Sequence, residues 1–358
     1  MAESPFLFLA AYEKKDKNKF FGRTKEVAQL YNAVHASNLI LLYGTSGTGK
    51  TSLVNCGLAN QFHDTDWLPI FVRRNSDLNQ SLDLAVSKYV RSTGKDDTLV
   101  QRIRHIYREQ FKPVYLLFDQ FEELYILGSR QEQGAFHATI ADLLQSGVQC
   151  KVLLIMREEY LASLDGFEKA VPSLFDNRLR IERMNNLGLS KVILGTAQEG
   201  SIEIAEPKVT VHGILDNIRD KREGIDLTNL QVYLKELWDL DMERQTGGQK
   251  LPDENYVARF DPALVKKAGR IQNVLSDFLD KEMEALELRL EQQGVEHAEG
   301  LPLEILFTLV TDDGTKRPMD LESIVKGLPK HRRLDSQHLQ YCMKEFERIR
   351  LLTPLTSD

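Results

Sequence analysis

Residues 39–51 read Leu39-Ile40-Leu41-Leu42-Tyr43 and then Gly44-Thr45-Ser46-Gly47-Thr48-Gly49-Lys50-Thr51. The second half fits the pattern G-x-x-x-x-G-K-[ST], which is typical of a phosphate-binding P-loop. The apolar run before the loop predicts a buried strand, and the segment from Ser52 onward predicts a helix. Glycines let the backbone wrap closely around an anion, with dihedral angles that a side chain would forbid. The loop amides and the start of the helix would then face phosphate groups.

The loop supplies the predicted phosphate-binding residues. Lys50 is expected to bring positive charge to the β- and γ-phosphates of a nucleotide, and the Thr51 hydroxyl to take one position around Mg²⁺. The alternative is a glycine-rich turn without a ligand, which the flanking strand and helix disfavour. The predicted set comprises Gly44, Thr45, Ser46, Gly47, Thr48, Gly49, Lys50, Thr51 and Ser52.

A second apolar run ends in acidic residues. Residues 113–124 read Pro113-Val114-Tyr115-Leu116-Leu117-Phe118-Asp119-Gln120-Phe121-Glu122-Glu123-Leu124. The strand would carry Asp119 to the Mg²⁺ shell, directly or through water. An acid just beyond it can orient or deprotonate an attacking water. Glu122 and Glu123 compete for that role, and the other acid would lie solvated in the first turn of a helix.

Three arginines follow later strands. Residues 151–156 predict a strand that ends at Arg157, where a polar side chain can lie near the γ-phosphate. The alternative for Arg157 is a salt bridge to Glu158 or Glu159. Arg178 and Arg180 begin another short run, and one of them could reach the nucleotide of a neighbouring subunit as an arginine finger. Otherwise both are surface residues.

The order of the elements predicts an α/β fold. Strands alternate with helices up to about residue 184, which indicates an open, mostly parallel sheet with helices on both faces. After residue 184 the pattern becomes helical, and residues 301–355 form a compact module with two helical stripes. A chain of 358 residues is expected to hold two or three domains.

Composition excludes several classes of function. The net charge of −7 disfavours a general surface for nucleic acids or anionic membranes. The three cysteines, at positions 56, 150 and 342, form no CxxC pair, and the eight histidines form no HExxH motif. These features favour a reducing, cytoplasmic location without a zinc site. No apolar run reaches about 18 residues, so we expect no membrane span, and residues 5–11 are interpreted as packing rather than as a signal peptide.

Several stretches together resemble the STAND-class P-loop NTPases, in particular the bacterial "novel STAND" group related to NACHT and NB-ARC proteins. They are the lead ending in Phe20-Phe21-Gly22-Arg23, the P-loop, residues 117–124, Arg157, the Leu-Gln-x-x-Leu-x-x-Leu-Trp helix at residues 230–238 and the Val-Thr-Asp-Asp-Gly-Thr-Lys-Arg-Pro run at residues 310–318. The resemblance covers nearly the whole chain. It implies a lead (residues 1–19), a P-loop αβα sandwich (20–184), a helical domain (185–295) and a winged-helix domain (296–358).

The resemblance also implies a function. Members are switches: ADP holds a closed monomer, and ATP with an activating signal opens it to an oligomer that hydrolyses ATP slowly. Related sequences act in bacterial antiviral defence and signalling. The family pattern assigns water activation to Glu122, a position near the base to Arg23, and the sensor position to Arg157. ATP and ADP with Mg²⁺ are the implied ligands. Effector or sensor partners would lie in further sequence of a longer protein or in separate chains.

The sequence departs from the family pattern in two places. Residues 227–229 read Leu227-Thr228-Asn229 where many relatives carry Leu-Pro, a contact to the base or ribose. A winged-helix histidine that senses the β-phosphate has one nearby candidate, His331, whose spacing does not assign it. Two other functions remain open: a non-hydrolysing scaffold that keeps ADP, and a DNA-binding ATPase that uses the basic residues 330–333. Residues 301–358 carry 9 Lys+Arg against 9 Asp+Glu, so binding to nucleic acid is not expected.

Overall fold

A computed structural model describes residues 4–7, 10–90, 97–220, 224–247, 256–311, 317, 319–349 and 351–352, without the side chains at positions 273, 275 and 277. Of the run at residues 310–318 that contributes to the family resemblance, residues 312–316 and 318 lie outside this part. The chain forms two compact units, one of residues 1–7 and 11–265, the other of residues 8–10 and 266–358. The sequence predicted four segments, and their boundaries stay a prediction.

The first unit is built on a five-stranded parallel sheet. Its strands are β1 (Leu39–Gly44), β2 (Leu68–Val72), β3 (Val114–Phe118), β4 (Cys150–Arg157) and β5 (Arg178–Arg180), in the order β2-β3-β4-β1-β5. In this order β1 lies between β4 and β5, and Gly44 pairs with Arg157 in the register. Because all strands are parallel, their carboxyl ends meet at one edge of the sheet. The P-loop and the polar residues that follow β2, β3 and β4 therefore lie together.

Helices cover both faces of the sheet because its strands are apolar on both sides. The helices of this part are α1 (Thr24–Ala36), α2 (Lys50–Ser52), α3 (Leu78–Ser87), α4 (Leu99–Gln110), α5 (Glu123–Ile126), α6 (Arg130–Gln145) and α7 (Asp165–Ala170). Leu39 and Leu41 of β1 pack in a core with α3, α4, α6 and α7. Ile40 and Leu42 pack on the opposite face with α1. The predicted parallel sheet with helices on both faces is thus present.

The segment after the P-loop is helical, as predicted, but it is not a regular α-helix. The three residues of α2 continue as a π-helical turn at Leu53–Leu58 and a 3₁₀ turn at Ala59–Gln61. Leu53, Val54 and Leu58 are fully buried against β1 and α1. This packing holds the start of the helix rigidly under the loop. Two further 3₁₀ segments lie at Lys14–Lys19 and Glu158–Leu164.

The rest of the first unit is mainly helical. It contains α8 (Asn186–Glu199), α9 (Pro207–Ile218), α10 (Leu227–Thr246) and α11 (Pro262–Ala268), the last of which continues into the second unit. Two strands of three residues each, β6 (Ile202–Ile204) and β7 (Ala258–Phe260), pair in parallel. The sequence predicted only helices here, because three residues are too few to show the alternation of a strand.

The second unit is helical in its described part. It contains α12 (Ile271–Gln292), α13 (Leu301–Thr308), α14 (Leu321–Gly327), a 3₁₀ turn at Lys330–Arg332 and α15 (Ser336–Arg348). Helices α12 to α15 share one apolar core, formed by Met283, Leu286, Leu290, Ala298, Leu301, Ile305, Ile324, Leu328, Leu334, Leu339, Cys342, Phe346 and Ile349. The segment predicted as a winged helix (296–358) thus shares its hydrophobic core with α12, which the prediction assigned to the helical domain. None of the helices that the structure describes, in either unit, combines the length and apolar character that crossing a bilayer requires.

Candidate functional site

The P-loop turns sharply between β1 and α2. Gly47 has a φ of 70° and Gly49 a φ of 82°, and both values lie in the left-handed region that side chains disfavour. Gly49 is the residue immediately before α2, so its conformation turns the chain into the helix. The sequence requirement for glycine at these two positions follows from this backbone. Because α2 begins here, the backbone amides of its first turn have no carbonyl acceptor in a preceding turn of helix. Such amides can bind an anion.

Lys50 is folded back onto the loop. Its Nζ atom donates hydrogen bonds of 2.8 Å to the carbonyl oxygens of Gly44 and Thr45. Burial lowers the pKa of Lys50, and the nearby carboxylates of Glu122, Glu159 and Asp119 act in the opposite direction. An anion at the loop would favour the charged form of this amine. Lys50 is therefore placed to receive a phosphate group.

Asp119 lies at the end of β3, buried at the carboxyl edge of the sheet. Its Oδ1 atom accepts a hydrogen bond of 3.0 Å from the hydroxyl of Thr51. Neighbouring ligands of an octahedral Mg²⁺ ion, each about 2.1 Å from the metal, are about 3.0 Å apart. The two oxygens that the sequence assigned to Mg²⁺ thus have the separation of adjacent magnesium ligands, and the residues present fit the ion.

Arg73 also contacts Asp119, and the sequence analysis missed it. Its Nε atom donates to Oδ2 of Asp119 at 3.0 Å, and its Nη2 atom contacts the same oxygen. Arg73 directly follows β2, the edge strand that pairs with β3. A polar residue at a strand end was the signal that identified Arg157. Arg73 also follows an apolar strand, but its contact with Asp119 can be predicted only if β2 and β3 are known to be neighbours.

Glu122 lies beside Arg157. One of its oxygens is 3.2 Å from the Arg157 Nε atom, and the other accepts the backbone amide of Arg157 at 3.2 Å. Glu122 is almost completely buried, and burial raises its pKa above the ordinary value for a glutamate. Glu123 starts α5 and is half-buried. Of the two competing acids, the structure therefore pairs Glu122 with the predicted sensor arginine.

Glu158, one of the two acids named as alternative partners of Arg157, pairs with another arginine. Arg180 donates from Nε and Nη2 to the carboxylate of Glu158, at 2.7 and 3.0 Å. This contact lowers the pKa of Glu158. Arg178 lies in the same strand, with its guanidinium carbon 6.0 Å from the centre of the Phe175 ring. Arg180 is thus held within its own chain, whereas Arg178 rests on an aromatic surface.

Arg23 stabilises the P-loop by hydrogen bonding to its backbone. It is almost completely buried, and its Nη2 atom donates to the carbonyl oxygens of Thr48 (2.9 Å) and Glu182 (2.8 Å). Its Nη1 atom contacts Glu26. The arginine therefore links the loop to the segment after β5. Its predicted proximity to a nucleotide base stays a prediction.

The start of α10 packs directly on the P-loop, a contact that the sequence analysis did not predict. The Leu227 amide donates to the Gly47 carbonyl at 3.0 Å. Asp226 caps α10 by accepting the Thr228 amide at 2.7 Å. A Cβ atom added to Gly47 would lie 1.6 Å from Oδ2 of Asp226. The segment that lacks the family's Leu-Pro pair thus still reaches the loop, and it brings a carboxylate with it.

The sequence model of the family described as Novel STAND NTPase 1 matches residues 5–357. The chain belongs to this family. The predicted STAND resemblance is therefore confirmed over almost the whole sequence, and it brings membership of an NTPase family with it. No curated protein matches the chain at a significant level.

Solved structures share the fold of this novel STAND NTPase. The Walker-type ATPase PABY2304 of Pyrococcus abyssi has a TM-score of 0.51 and 14% identity, over 97% of this chain and 93% of that one. The ORC1 protein of Aeropyrum pernix, in complex with DNA, has a TM-score of 0.51 and 16% identity, over 92% and 84%. The ADP form of ORC2 from the same organism has a TM-score of 0.50 and 15% identity, over 91% and 93%. The predicted fold class, an α/β P-loop NTPase fold followed by helical and winged-helix parts, is confirmed.

The basic residues in the second unit of this STAND NTPase are partly occupied by internal contacts. His331 lies exposed in the 3₁₀ turn Lys330–Arg332. Arg332 pairs with Glu304 at 2.8 Å, and Arg333 donates to the Leu328 carbonyl oxygen. The turn is therefore exposed to solvent, and contacts within the second unit hold it in place. The role of His331 as a phosphate sensor stays a prediction.

Proposed function

We propose that the chain is a nucleotide-driven switch of the STAND type that binds ATP or ADP with Mg²⁺ and hydrolyses ATP slowly. One observation supports this proposal above all. Lys50 and Thr51 come from one stretch of sequence and Asp119 and Glu122 from another, and all four meet at the carboxyl edge of one parallel sheet. A phosphate loop, a magnesium-binding pair and a buried base are the parts that phosphoryl transfer to water requires.

Each residue then has a role in hydrolysis. The loop amides and Lys50 would hold the β- and γ-phosphates, and bound Mg²⁺ would neutralise charge on the same oxygens. Glu122 would accept a proton from the attacking water, for which its raised pKa suits it. Arg157 pairs with Gly44 in the sheet register and would reach the γ-phosphate once it leaves Glu122. Slow turnover is consistent with a base that is held by an arginine in the resting arrangement.

The proposed switching cycle is the one that the family resemblance implies. ADP would hold a closed monomer, and ATP with a trigger would favour an oligomer that signals, in bacterial antiviral defence or cell signalling, in the cytoplasm. Partners would be further copies of the chain and effector or sensor segments. Arg178 fits an arginine finger better than Arg180, because Arg180 is already bonded to Glu158 in its own chain.

Phosphate release from ATP tests the proposal. Release is measured with and without Mg²⁺ at several protein concentrations, for the wild type and for Lys50→Ala and Glu122→Gln. We expect turnover per molecule that rises with protein concentration and is lost in both variants. Nucleotide binding without turnover at any concentration, with or without assembly, would contradict hydrolysis.

A non-hydrolysing scaffold that retains ADP is the second candidate. The observation in its favour is that the site's charged groups are already paired inside the chain: Lys50 with loop carbonyls, Asp119 with Arg73, and Glu122 with Arg157. The two functions differ in the Glu122→Gln variant. A scaffold predicts unchanged assembly and signalling, whereas a hydrolysing switch predicts a variant that stays in the ATP-bound oligomer.

Binding to DNA is the third candidate, and the ORC1 structure solved with DNA is the reason to test it. The basic turn at residues 330–333 offers little free charge, because Arg332 is paired with Glu304. Non-specific binding to DNA requires several free cationic contacts. A gel shift with duplex DNA at increasing salt checks this function, and we expect no salt-sensitive complex.

A further inference from the structure

We propose that Arg73 is a metal-competing positioning residue, whose guanidinium holds Asp119 until Mg²⁺ and nucleotide replace it. This inference rests on the proposed function. It concerns which group pairs with the Asp119 carboxylate before Mg²⁺ binds. Arg73 lies outside both the P-loop and the acidic motif at residues 113–124.

The backbone fixes Arg73 opposite Asp119. Val72 and Phe118 are partners in the register of β2 and β3, and each is the last residue of its strand. The Asp119 amide donates to the Val72 carbonyl at 3.1 Å, so the pairing extends one step beyond the strands. Arg73 and Asp119 therefore leave the sheet at the same level and on neighbouring strands. Their contact is a consequence of the sheet and does not depend on a mobile loop.

Both oxygens of the Asp119 carboxylate are already engaged. Oδ1 accepts the Thr51 hydroxyl, and Oδ2 accepts the Arg73 guanidinium from two nitrogens. The proposed magnesium position is on the Oδ1 side, beside Thr51, and Arg73 occupies Oδ2. Mg²⁺ there adds a second cation to the same carboxylate, so it competes electrostatically with the guanidinium and repels it. The exchange replaces one cation by another, so the buried carboxylate keeps a counter-charge throughout.

The exposure of the two side chains indicates which one moves. Asp119 is 8% exposed, whereas the side chain of Arg73 is 43% exposed. Arg73 can therefore rotate into solvent without opening the core, and Asp119 cannot. The guanidinium is the exchangeable partner of the pair, and the carboxylate is the fixed one.

The neighbouring Arg74 has a purely structural role and serves as a comparison for Arg73. The Arg74 side chain is 9% exposed, and it donates to both oxygens of Glu132 at 2.8 and 2.9 Å. It also donates to the carbonyl oxygens of Asn75 and Ser76. Arg74 anchors the segment after β2. Because this anchor holds the backbone, Arg73 can exchange its own contact without displacing the strand.

The test measures how strongly nucleotide binding depends on Mg²⁺. A fluorescent, non-hydrolysable ATP analogue is titrated onto the full chain at rising Mg²⁺ concentrations, for the wild type, Arg73→Gln, Arg73→Lys and Arg104→Gln. Arg104 is an exposed α4 residue that donates to the Ser146 carbonyl, so its variant removes the same charge elsewhere. We expect Arg73→Gln to lower the half-saturating Mg²⁺ concentration about two- to fivefold, since a partly exposed ion pair competes no more strongly than that. Arg73→Lys should give a smaller change, and Arg104→Gln none.

Thermal unfolding gives a second readout that does not depend on turnover. Without Mg²⁺, Arg73→Gln should unfold at a lower temperature than the wild type, because Asp119 loses its counter-charge. Mg²⁺ with the analogue should remove most of this difference. An unchanged or increased Mg²⁺ requirement in Arg73→Gln would overturn the role of Arg73 while leaving the proposed function intact. If the wild type binds no nucleotide at saturating Mg²⁺, the proposed function itself fails.

Discussion

The hydroxyl of Thr51 donates to the carboxylate of Asp119 over 3.0 Å, although 68 positions separate the two residues in the sequence. Thr51 is the second residue of α2, after the P-loop, and Asp119 directly follows β3, which lies two places from β1 in the sheet order β3-β4-β1. The contact therefore depends on the whole sheet being assembled. It also places two oxygens at the spacing of adjacent magnesium ligands before any metal is bound.

This pair predicts a specific loss in Thr51→Val, which keeps the shape of the side chain but removes the hydroxyl. We expect the Mg²⁺-dependent gain in nucleotide affinity to fall by at least about tenfold, as is typical when a metal site loses a polar partner. Affinity in the absence of Mg²⁺ should stay within about twofold, because the loop amides and Lys50 remain. Thr51→Ser, which retains the hydroxyl, is the matched control and should keep most of the gain. Equal losses with and without Mg²⁺ would show that Thr51 acts on the loop instead of the metal.

Glu122→Gln should separate hydrolysis from binding. We expect kcat to fall about 10²- to 10³-fold, since a positioned general base contributes about that factor. Nucleotide affinity should change by less than about threefold, because glutamine keeps the size and the hydrogen bond to the Arg157 amide. The measurement is single-turnover phosphate release beside equilibrium binding. Glu123→Gln is the control, since Glu123 is the other acid considered for this role and its variant makes the same change at the first residue of α5. If Glu123→Gln is the slower variant, the assignment of the base is wrong.

The sequence was sufficient wherever a chemical group directly follows an apolar run. The P-loop, Asp119 and Arg157 could be found in this way, because parallel strands deliver their ends to one edge whatever their order. The choice of Glu122 over Glu123 came from the family resemblance and not from this pattern. Arg73 directly follows a strand in the same manner, but its contact with Asp119 depends on β2 lying beside β3. Strand order is a property of the assembled sheet and leaves no local pattern.

Two other features lay beyond local patterns for different physical reasons. Strands β6 and β7 have three residues each and lie more than 50 positions apart, so neither alternation nor a hairpin turn marks them. The contact of Asp226 with Gly47 arises from tertiary packing of α10 on the loop. From the sequence alone, Asp226 can be recognised only as a helix N-cap residue. It does cap α10 in the structure.

The raised pKa of Glu122 predicts a pH dependence of stability. A buried carboxyl group whose folded pKa lies above its unfolded pKa retains its proton longer in the folded state. Its contribution to stability is therefore complete below the unfolded pKa and is lost as pH rises through the folded pKa. Glu122→Gln, which stays neutral, should melt about 2 °C above the wild type at pH 8, and the difference should vanish near pH 4. Melting curves at both pH values check this. A variant that melts lower at pH 8 would show that the ion pair with Arg157 outweighs the cost of burial.

The same pKa shift predicts the acidic limit of turnover. A base acts only when it is deprotonated, so a raised pKa moves the low-pH limb of the kcat profile above the range of an ordinary glutamate. Arg157→Gln removes a cation that favours the charged carboxylate, and it should move this limb to still higher pH. Single-turnover rates between pH 5 and pH 8 measure both positions, within the range where melting shows the protein folded. A limb that stays in place in Arg157→Gln would contradict electrostatic contact between the two side chains during the reaction.

The carboxylate of Asp226 predicts that α10 restrains nucleotide binding. Its Oδ2 atom lies against Gly47, so a negative charge borders the loop that receives phosphates. Asp226→Asn keeps a good helix cap and nearly the same shape while it removes the charge. We expect ATP affinity to rise roughly tenfold, because a half-buried carboxylate within several ångströms of a polyanion repels it. Asp77→Asn makes the same change at the cap of α3, which follows the edge strand β2, three strands from β1. At about 4.8 Å per strand that distance exceeds the screening length, so affinity there should stay within about twofold. Weaker binding in Asp226→Asn would instead show that the carboxylate contacts the nucleotide favourably, as an acceptor for its hydroxyl groups.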